Sequence, residues 1–292
     1  NVYKGQADPQ AIVELVRDQR VEVLALQETT EDFVKKLNEA GIEHYLPYAQ
    51  VSSSDGVFGN GLWSATPLAD PTDDDVNSSA SFMPGGTVDM GGQQIRFVSV
   101  HTTAPVPGYW RQWKRSLDEL GLMREHTDTR YIFMGDFNAT YDHTPFRDFL
   151  GDRFVDAARE SGHGFTFSWP TNRAAVPMFA GIDHVVLDQG MKAGQCKVVK
   201  VEGSDHAALL ATVAGAAELV EPAQNRAFTQ RPRADLDFLN IQGLHDLVGH
   251  HAAAHNLHRA FRRDAGQSHA LLRRDRRQTR NPVFQLLTSH NP

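Results

Sequence analysis

The stretch Tyr131-Ile-Phe-Met-Gly-Asp-Phe-Asn-Ala-Thr140 decides how the rest of the chain is read. Tyr131 to Gly135 is an apolar run of strand length that breaks off at Gly135-Asp136-Phe137-Asn138. A short run without polar alternation is a strand covered on both faces. The polar pair at its end is either an Asx turn or a pair of functional groups delivered to a sheet edge. The pattern recurs, which favours the second reading. Glu28 follows the apolar segment Val21 to Leu26, and His101 follows Ile95 to Val100. Asp183 lies at the start of Ile182 to Leu187, and Ser204-Asp205-His206 opens Ala207 to Val213. If the last two segments run antiparallel to the first three, all five polar sets reach one edge. One pocket then forms from sequence-distant pieces.

The intervening sequence carries clear punctuation. Asp8-Pro9 is a cap and first-turn pair for a helix with Ala11, Ile12, Leu15 and Val16 on one face up to Arg20. Thr30 caps a second helix bearing Phe33, Val34 and Leu37, which stops at Gly41. Further strands are predicted over 57–64, 80–90, 94–100 across a Gly91-Gly92 hairpin, and 195–202. A long helix is predicted over 109–126. Strands interleaved with a few helices specify an α+β or layered α/β fold.

Composition bounds the function. The 292 residues are 40% hydrophobic and 22% charged, with one cysteine, Cys196, so a disordered or disulfide-stapled protein is excluded. No apolar run reaches the roughly 18 residues a membrane span needs. No signal peptide is legible, and the chain opens at Asn1 rather than Met. The net charge of −7 averages two unlike parts: residues 1–214 hold 18 basic and 29 acidic residues, whereas 215–292 hold 11 Arg and 7 acidic residues with half of the 14 histidines. A domain boundary is therefore placed at 214, with 215–292 expected to be a weakly structured Arg/His-rich C-terminal extension. A core at −11 disfavours nonspecific DNA binding, which depends on neutralising phosphates with Lys and Arg. No internal repeat is visible.

The strand-end pocket would hold Glu28, Asp136, Asp183 and Asp205 beside Asn138, His101 and His206. So many carboxylates in one small site repel one another, and a hard divalent cation is the natural compensation. Oxygen donors suit Mg²⁺ or Mn²⁺ rather than zinc. Other polar clusters read as structural. Asp73-Asp74-Asp75 is expected to be a solvated turn, and His184 a structural residue. His143 and His163 lie in loops with no visible partner. Trp110 and Trp113, interleaved with Arg111, Lys114 and Arg115, form either a ligand-holding patch or a helix-packing pair.

The ordered set Leu26-Gln27-Glu28, Ser99-Val100-His101, Gly135-Asp136-Phe137-Asn138, Ile182-Asp183-His184 and Ser204-Asp205-His206 resembles the endonuclease/exonuclease/phosphatase superfamily. That fold is shared by DNase I-like nucleases, exonuclease III-like AP endonucleases, sphingomyelinases and inositol phosphatases. The resemblance covers residues 1–214 and implies a DNase I-like four-layered α/β sandwich, two mixed β-sheets flanked by helices. Asn1 resembles the Asn that ends the family's first strand, which implies that the preceding strand is missing ahead of it. The resemblance further implies a phosphoester hydrolase in which Glu28 binds the metal, Asn1 assists and Asp205 is metal-linked. His206 would then be the general base, with Asp183 orienting it. Asp136 and Asn138 would position water and a phosphate oxygen, and His101 would contact the phosphate or protonate the leaving group. A phospholipase or sphingomyelinase-like enzyme, a sugar or inositol phosphatase, and an inert binding module remain the alternatives. The short loops and Trp169-Pro170 are similar to a bacterial branch often preceded by membrane segments, which implies an extracytoplasmic or membrane-tethered domain; a cytoplasmic one is the alternative. A monomer acting on a phosphoester substrate is expected.

Overall fold

Strands that are apolar on both faces must be covered twice, and the chain meets this requirement by stacking two sheets and coating their outer faces with helices. A computed structural model describes residues 1–215 and the backbone of 284–289. Its elements are α1 (Pro9–Gln19), β1 (Val23–Gln27), α2 (Glu31–Glu39), β2 (Tyr48–Ser52), β3 (Asn60–Ser64), β4 (Ala69–Thr72), β5 (Gly85–Met90) and β6 (Gln93–His101). They continue through α3 (Trp110–Gly121), β7 (Arg130–Asp136), α4 (Thr144–Leu150), β8 (Phe154–Asp156), α5 (Ala157–Glu160), β9 (Asp183–Asp188), β10 (Lys192–Lys200), β11 (Ala207–Ala214) and β12 (Phe284–Ser289). One sheet has the order β10-β11-β12-β1-β3-β2 and the other β4-β5-β6-β7-β9-β8. Both are mixed: β1 pairs β12 in parallel and β6 pairs β7 in parallel, while every other pairing is antiparallel. This is the four-layered sandwich implied by the sequence.

Side-chain alternation sorts each strand between two cores. Val23 and Ala25 of β1 face the other sheet and meet Ile95, Phe97, Ile132, Met134, Val185 and Leu187. Leu24 and Leu26, one residue out of phase, turn to the opposite face and pack with Ile12, Val16, Phe33 and Leu37 of α1 and α2. On the far side, Val98, Val100 and Phe133 meet Trp113, Leu117, Phe146 and Phe149 of α3 and α4. The helix starts follow their caps: Asp8 accepts from the Gln10 N–H at 2.9 Å and Thr30 from the Phe33 N–H at 3.2 Å. The Gly91-Gly92 hairpin forms as expected, with both glycines at positive φ and Met90 opposite Gln93.

Several expectations need correction. The predicted strands over 57–64 and 80–90 begin later, at Asn60 and Gly85, and the one over 195–202 is displaced to Lys192–Lys200. The helix over 109–126 stops at Gly121 and passes into a 3₁₀ turn, Leu122–Glu125. The expected solvated turn at Asp73–Asp75 is half wrong: Asp75 is nearly buried and its carboxylate binds Arg96 at 2.5 Å, clamping the β4–β5 edge. A charge taken out of water needs such a partner. β12 lies between β1 and β11, in register with Val23 to Leu26. The boundary at 214 thus leaves out a strand of the first sheet. The compact unit containing it spans Asn1–Val220 with Pro282–Pro292; the other unit, Glu221–Asn281, and with it the Arg/His-rich tract, lies outside the described residues.

Gly135 sets the closeness of β6 and β7. Its φ is +150°, and a Cβ there would lie 2.0 Å from the Val100 carbonyl oxygen. Gly135→Ala must therefore force the two strands apart one residue before Asp136. The expected loss of stability is about 2–4 kcal/mol, measured by urea denaturation; an unchanged midpoint would show that the strands can separate freely here.

Candidate active site

The register of three strands brings three polar sets together. His101 pairs with Asp136 across β6 and β7, and Asp136 pairs with Asp183 across β7 and β9. Because β9 is antiparallel to β7, the beginning of β9 meets the end of β7. In the other sheet β11 is antiparallel to β12, which is parallel to β1, so Asp205-His206 reaches the edge where β1 delivers Glu28. The orientation required of the last two segments is therefore met. All eight sequence-derived residues, Asn1, Glu28, His101, Asp136, Asn138, Asp183, Asp205 and His206, are buried. Asp136, Glu28 and Asp205 all act electrostatically on the Asn1 main-chain nitrogen, and His101 acts on His206, so the two sheets contribute to a single cluster.

Within it two His–carboxylate pairs form. His206 Nδ1 lies 3.4 Å from Asp183 Oδ2, and His101 Nε2 lies 3.4 Å from Asp136 Oδ2. Burial, above all, pushes the His206 imidazole well below its ordinary range, with His101 acting in the same direction. Asp205 is pushed up to about 6, chiefly by burial, with the nearby Glu28 charge acting in the same direction. Asp136 accepts twice from Asn138, from its N–H at 2.6 Å and its Nδ2 at 2.9 Å, while the same Nδ2 donates to the Thr102 carbonyl at 2.9 Å. Glu28 and Asn138 both stand in the left-handed region, at φ 58° and 45°. Asn tolerates that conformation; Glu does so at a cost, and such positions concentrate at functional sites.

The cluster is held from behind by residues outside these eight. Gln27 joins the two sheets: its Nε2 donates to Ser99 Oγ at 3.1 Å and its Oε1 accepts from the Asn1 nitrogen at 3.1 Å. Ser204 Oγ donates to the Asn1 carbonyl at 3.2 Å and accepts from the His206 N–H at 3.1 Å. Trp113 is fully buried and donates from Nε1 to the Phe137 carbonyl at 3.3 Å, whereas Trp110 is 52% exposed; Lys114 and Arg115 pair with Asp118 and Glu119 on their own helix. Trp113 therefore packs the helix and steadies the turn that carries Asn138. His184 lies between Asp156 Oδ2 at 2.6 Å and the Ala139 carbonyl at 2.7 Å, against the Phe146 ring. The structural role expected for His184 thus includes fixing the turn that carries Asn138. His143 also has partners, the Thr140 N–H at 2.9 Å and the edge of Trp113, and His163 lies beside Ser161. Gln27 and His184 were visible only as neighbours of Glu28 and Asp183.

The donor set is oxygen-rich. Glu28 Oε2 accepts the Lys4 N–H at 2.9 Å and the Asn1 amide oxygen accepts the Tyr3 N–H at 2.7 Å. Among the described residues no three His, Cys, Asp or Glu side chains form a metal-ligand cluster on their own. No helix among them is long and apolar enough to cross a membrane.

The sequence profile of the Endonuclease/Exonuclease/phosphatase family matches residues 1–206. The chain belongs to this family. Members of the family are phosphoester hydrolases. Among solved structures it is similar to an endonuclease/exonuclease/phosphatase family protein from Leptotrichia buccalis, at 16% identity and TM-score 0.58, covering 70% of this chain and 92% of that one. A humanized D. rerio TDP2 matches at 16% identity and TM-score 0.58, covering 70% and 91%. The mannosyl-6-phosphatase Bt3783 of Bacteroides thetaiotaomicron matches at 13% identity and TM-score 0.53, covering 70% and 90%. At such identities these structures establish the fold alone. No curated protein matches the chain.

The clamp behind the family's Gly-Asp-Phe-Asn turn can be tested directly. His184→Phe keeps a ring against Phe146 but leaves Asp156 and the Ala139 carbonyl without their donor. Stability should fall by about 2–4 kcal/mol, the cost of orphaning buried polar groups, read by chemical denaturation. A neutral substitution would remove His184 from the clamp.

Proposed function

We propose that the chain is a divalent-cation-dependent phosphodiesterase that hydrolyses its substrate by in-line attack of water. The observation that carries this reading is the buried His206 beside Asp183, 3.4 Å away, gathered at one sheet edge with the oxygen donors Glu28, Asn1 and Asp205. The fit to a hard cation rests on those donors: each is an oxygen, and Asp205 and Glu28 crowd negative charge into a desolvated place. Glu28 would hold the cation, with the amide of Asn1 and Asp205 beside it and water completing the shell. The chemistry that Mg²⁺ or Mn²⁺ would supply there is neutralisation of phosphate charge and stabilisation of the leaving oxygen.

The remaining work falls to the chain's own residues. Asp183 accepts a hydrogen bond from the His206 Nδ1–H and so fixes the tautomer in which Nε2 takes a proton from water. As that proton moves, the water oxygen bonds to phosphorus and the ester P–O bond breaks, and the alcohol leaves with its electron pair. Asp136, held by Asn138, keeps His101 turned toward the phosphate, where it protonates the departing oxygen. Asn138 is locked by three hydrogen bonds and so orients without reorganising, which is the economy of a preorganised site.

Hydrolysis of bis-p-nitrophenyl phosphate with Mg²⁺ or Mn²⁺ tests the reading, beside a sugar monophosphate and an oligonucleotide. His206→Ala should lose about 10²- to 10⁴-fold in kcat, the range of a positioned base. Glu28→Gln should lose activity and shift the cation dependence to higher concentration. Either variant at wild-type activity would sink the assignment.

Asp205 gives a test without turnover. Its carboxyl is pushed up to about 6 in the folded chain from an ordinary 3.8, so the fold binds this proton more tightly than the unfolded chain does. Its contribution to stability is complete below about 4 and is lost as pH rises through about 6. In chelator, the melting temperature of Asp205→Asn should therefore gain on wild type between pH 4 and pH 8. A difference independent of pH would place the carboxyl in water.

A further inference from the structure

Residues 161–182, between α5 and β9, form no strand, and their one isolated bridge joins Trp169 to Ala180. That bridge fixes the backbone of Trp169 from one side. Its N–H donates to the Ala180 carbonyl at 3.1 Å, and its carbonyl accepts from the Phe179 and Ala180 N–H groups at 2.9 and 3.1 Å. From the other side the flanking residues are stitched to the Ser204-Asp205-His206 segment. The Ala207 N–H donates to the Ser168 carbonyl at 2.8 Å, the Thr171 N–H to the Asp205 carbonyl at 2.6 Å, and Thr171 Oγ1 to the Ser204 carbonyl at 2.7 Å. A residue held between two such seams has little backbone freedom, so its side chain is delivered to one place.

That place is beside Asp205 and His206. The Trp169 ring lies 6.0 Å from the His206 ring, with Phe179 in T-shaped contact at 5.5 Å and the Arg173 guanidinium over the indole at 5.3 Å. Trp169 as a whole is half-buried, yet its Nε1 is shut off from solvent, and so is Asp205 Oδ1; among the described residues neither atom makes a hydrogen bond elsewhere. Burial pushes the Asp205 carboxyl up, and the Trp169 indole, acting as a hydrogen-bond donor, pulls the other way. A buried donor and a buried acceptor that would each be orphaned alone thus face one another.

An indole suits this position. It is a neutral donor with no acceptor, so it fixes a carboxylate oxygen without bringing the positive charge that would compete with a cation. Carboxylates that ligate a metal are themselves hydrogen-bonded, and that outer contact sets where the free oxygen points. We infer that Trp169 is a positioning residue for the divalent cation: its indole N–H holds one oxygen of Asp205 and leaves the other turned to the oxygen set of Glu28 and Asn1. This rests on the reading of Asp205 as a cation ligand and names the residue that aims it. Packing alone, the other role open to a ring beside His206, needs the faces of the indole and not its N–H.

Trp169→Phe separates the two roles, because it keeps a ring beside His206 and removes the donor. Titration of the full chain with Mn²⁺, followed by melting temperature with no substrate present, should reach half-saturation at about 10- to 100-fold higher cation in Trp169→Phe than in wild type. In an Asp205→Ala background the same substitution should change the half-saturation no further, since the carboxylate that the indole holds is gone. Should Trp169→Phe fail to fold, the proton resonance of the Trp169 indole N–H decides the matter. Assigned by its contact with the Phe179 ring, it should shift when Mg²⁺ is added to wild type and lie elsewhere in Asp205→Ala. An unchanged half-saturation in Trp169→Phe, or an indole N–H indifferent to both Mg²⁺ and Asp205, overturns the inference. A wild-type melting temperature indifferent to Mn²⁺ would sink the cation and this role with it, whereas failure confined to the Trp169 readouts leaves the phosphodiesterase reading standing.

Discussion

The contact on which the rest of the structure turns is the approach of β7 to β6 at Gly135, where only a residue without a side chain fits under the Val100 carbonyl. That approach fixes the register that sets His101 opposite Asp136 and, through β9, Asp136 opposite Asp183. The second sheet is then tied to the first at the same edge by Gln27 reaching Ser99. Two sheets in fixed register bring five chain segments to one place without any one segment having to be long.

What the sequence disclosed follows from how each part is buried. β1, β6, β7, β9 and β11 are covered on both faces, so they stand out as apolar runs, and the polar residues at their ends mark the edge. Edge strands give no such signal. β2 and β4 are largely exposed and β4 contains Pro71, and β8 has three residues. The short helices α4 and α5 offered less periodicity than α1 or α3. β12 lay inside a tract whose Arg and His content argued against order, and its place beside β1 is a property of pairing rather than of composition.

The site divides along the same line. The candidate site residues sit at sequence positions where a run changes character, so Glu28, Asp136 and His206 could be found. Residues that hold them in place are identified only by a partner far along the chain: His184 by Asp156, Trp113 by the Phe137 carbonyl. Neither hydrophobic periodicity nor a local motif encodes a contact of that kind. Burial of this many polar groups is tolerable because most are donors and acceptors to one another, which also makes the arrangement stiff.

Because the cluster draws on the ends of strands from both sheets, it exists only while the two are docked. Anything that binds there, cation or phosphoester, binds the folded chain and not its unfolded form, and so stabilises the whole sandwich by mass action. Occupancy and folding become two readings of one equilibrium. A chain weakened anywhere in its cores would then be rescued by ligand at a site it never touches, and a cell rich in that ligand would tolerate more variation in the layers behind it.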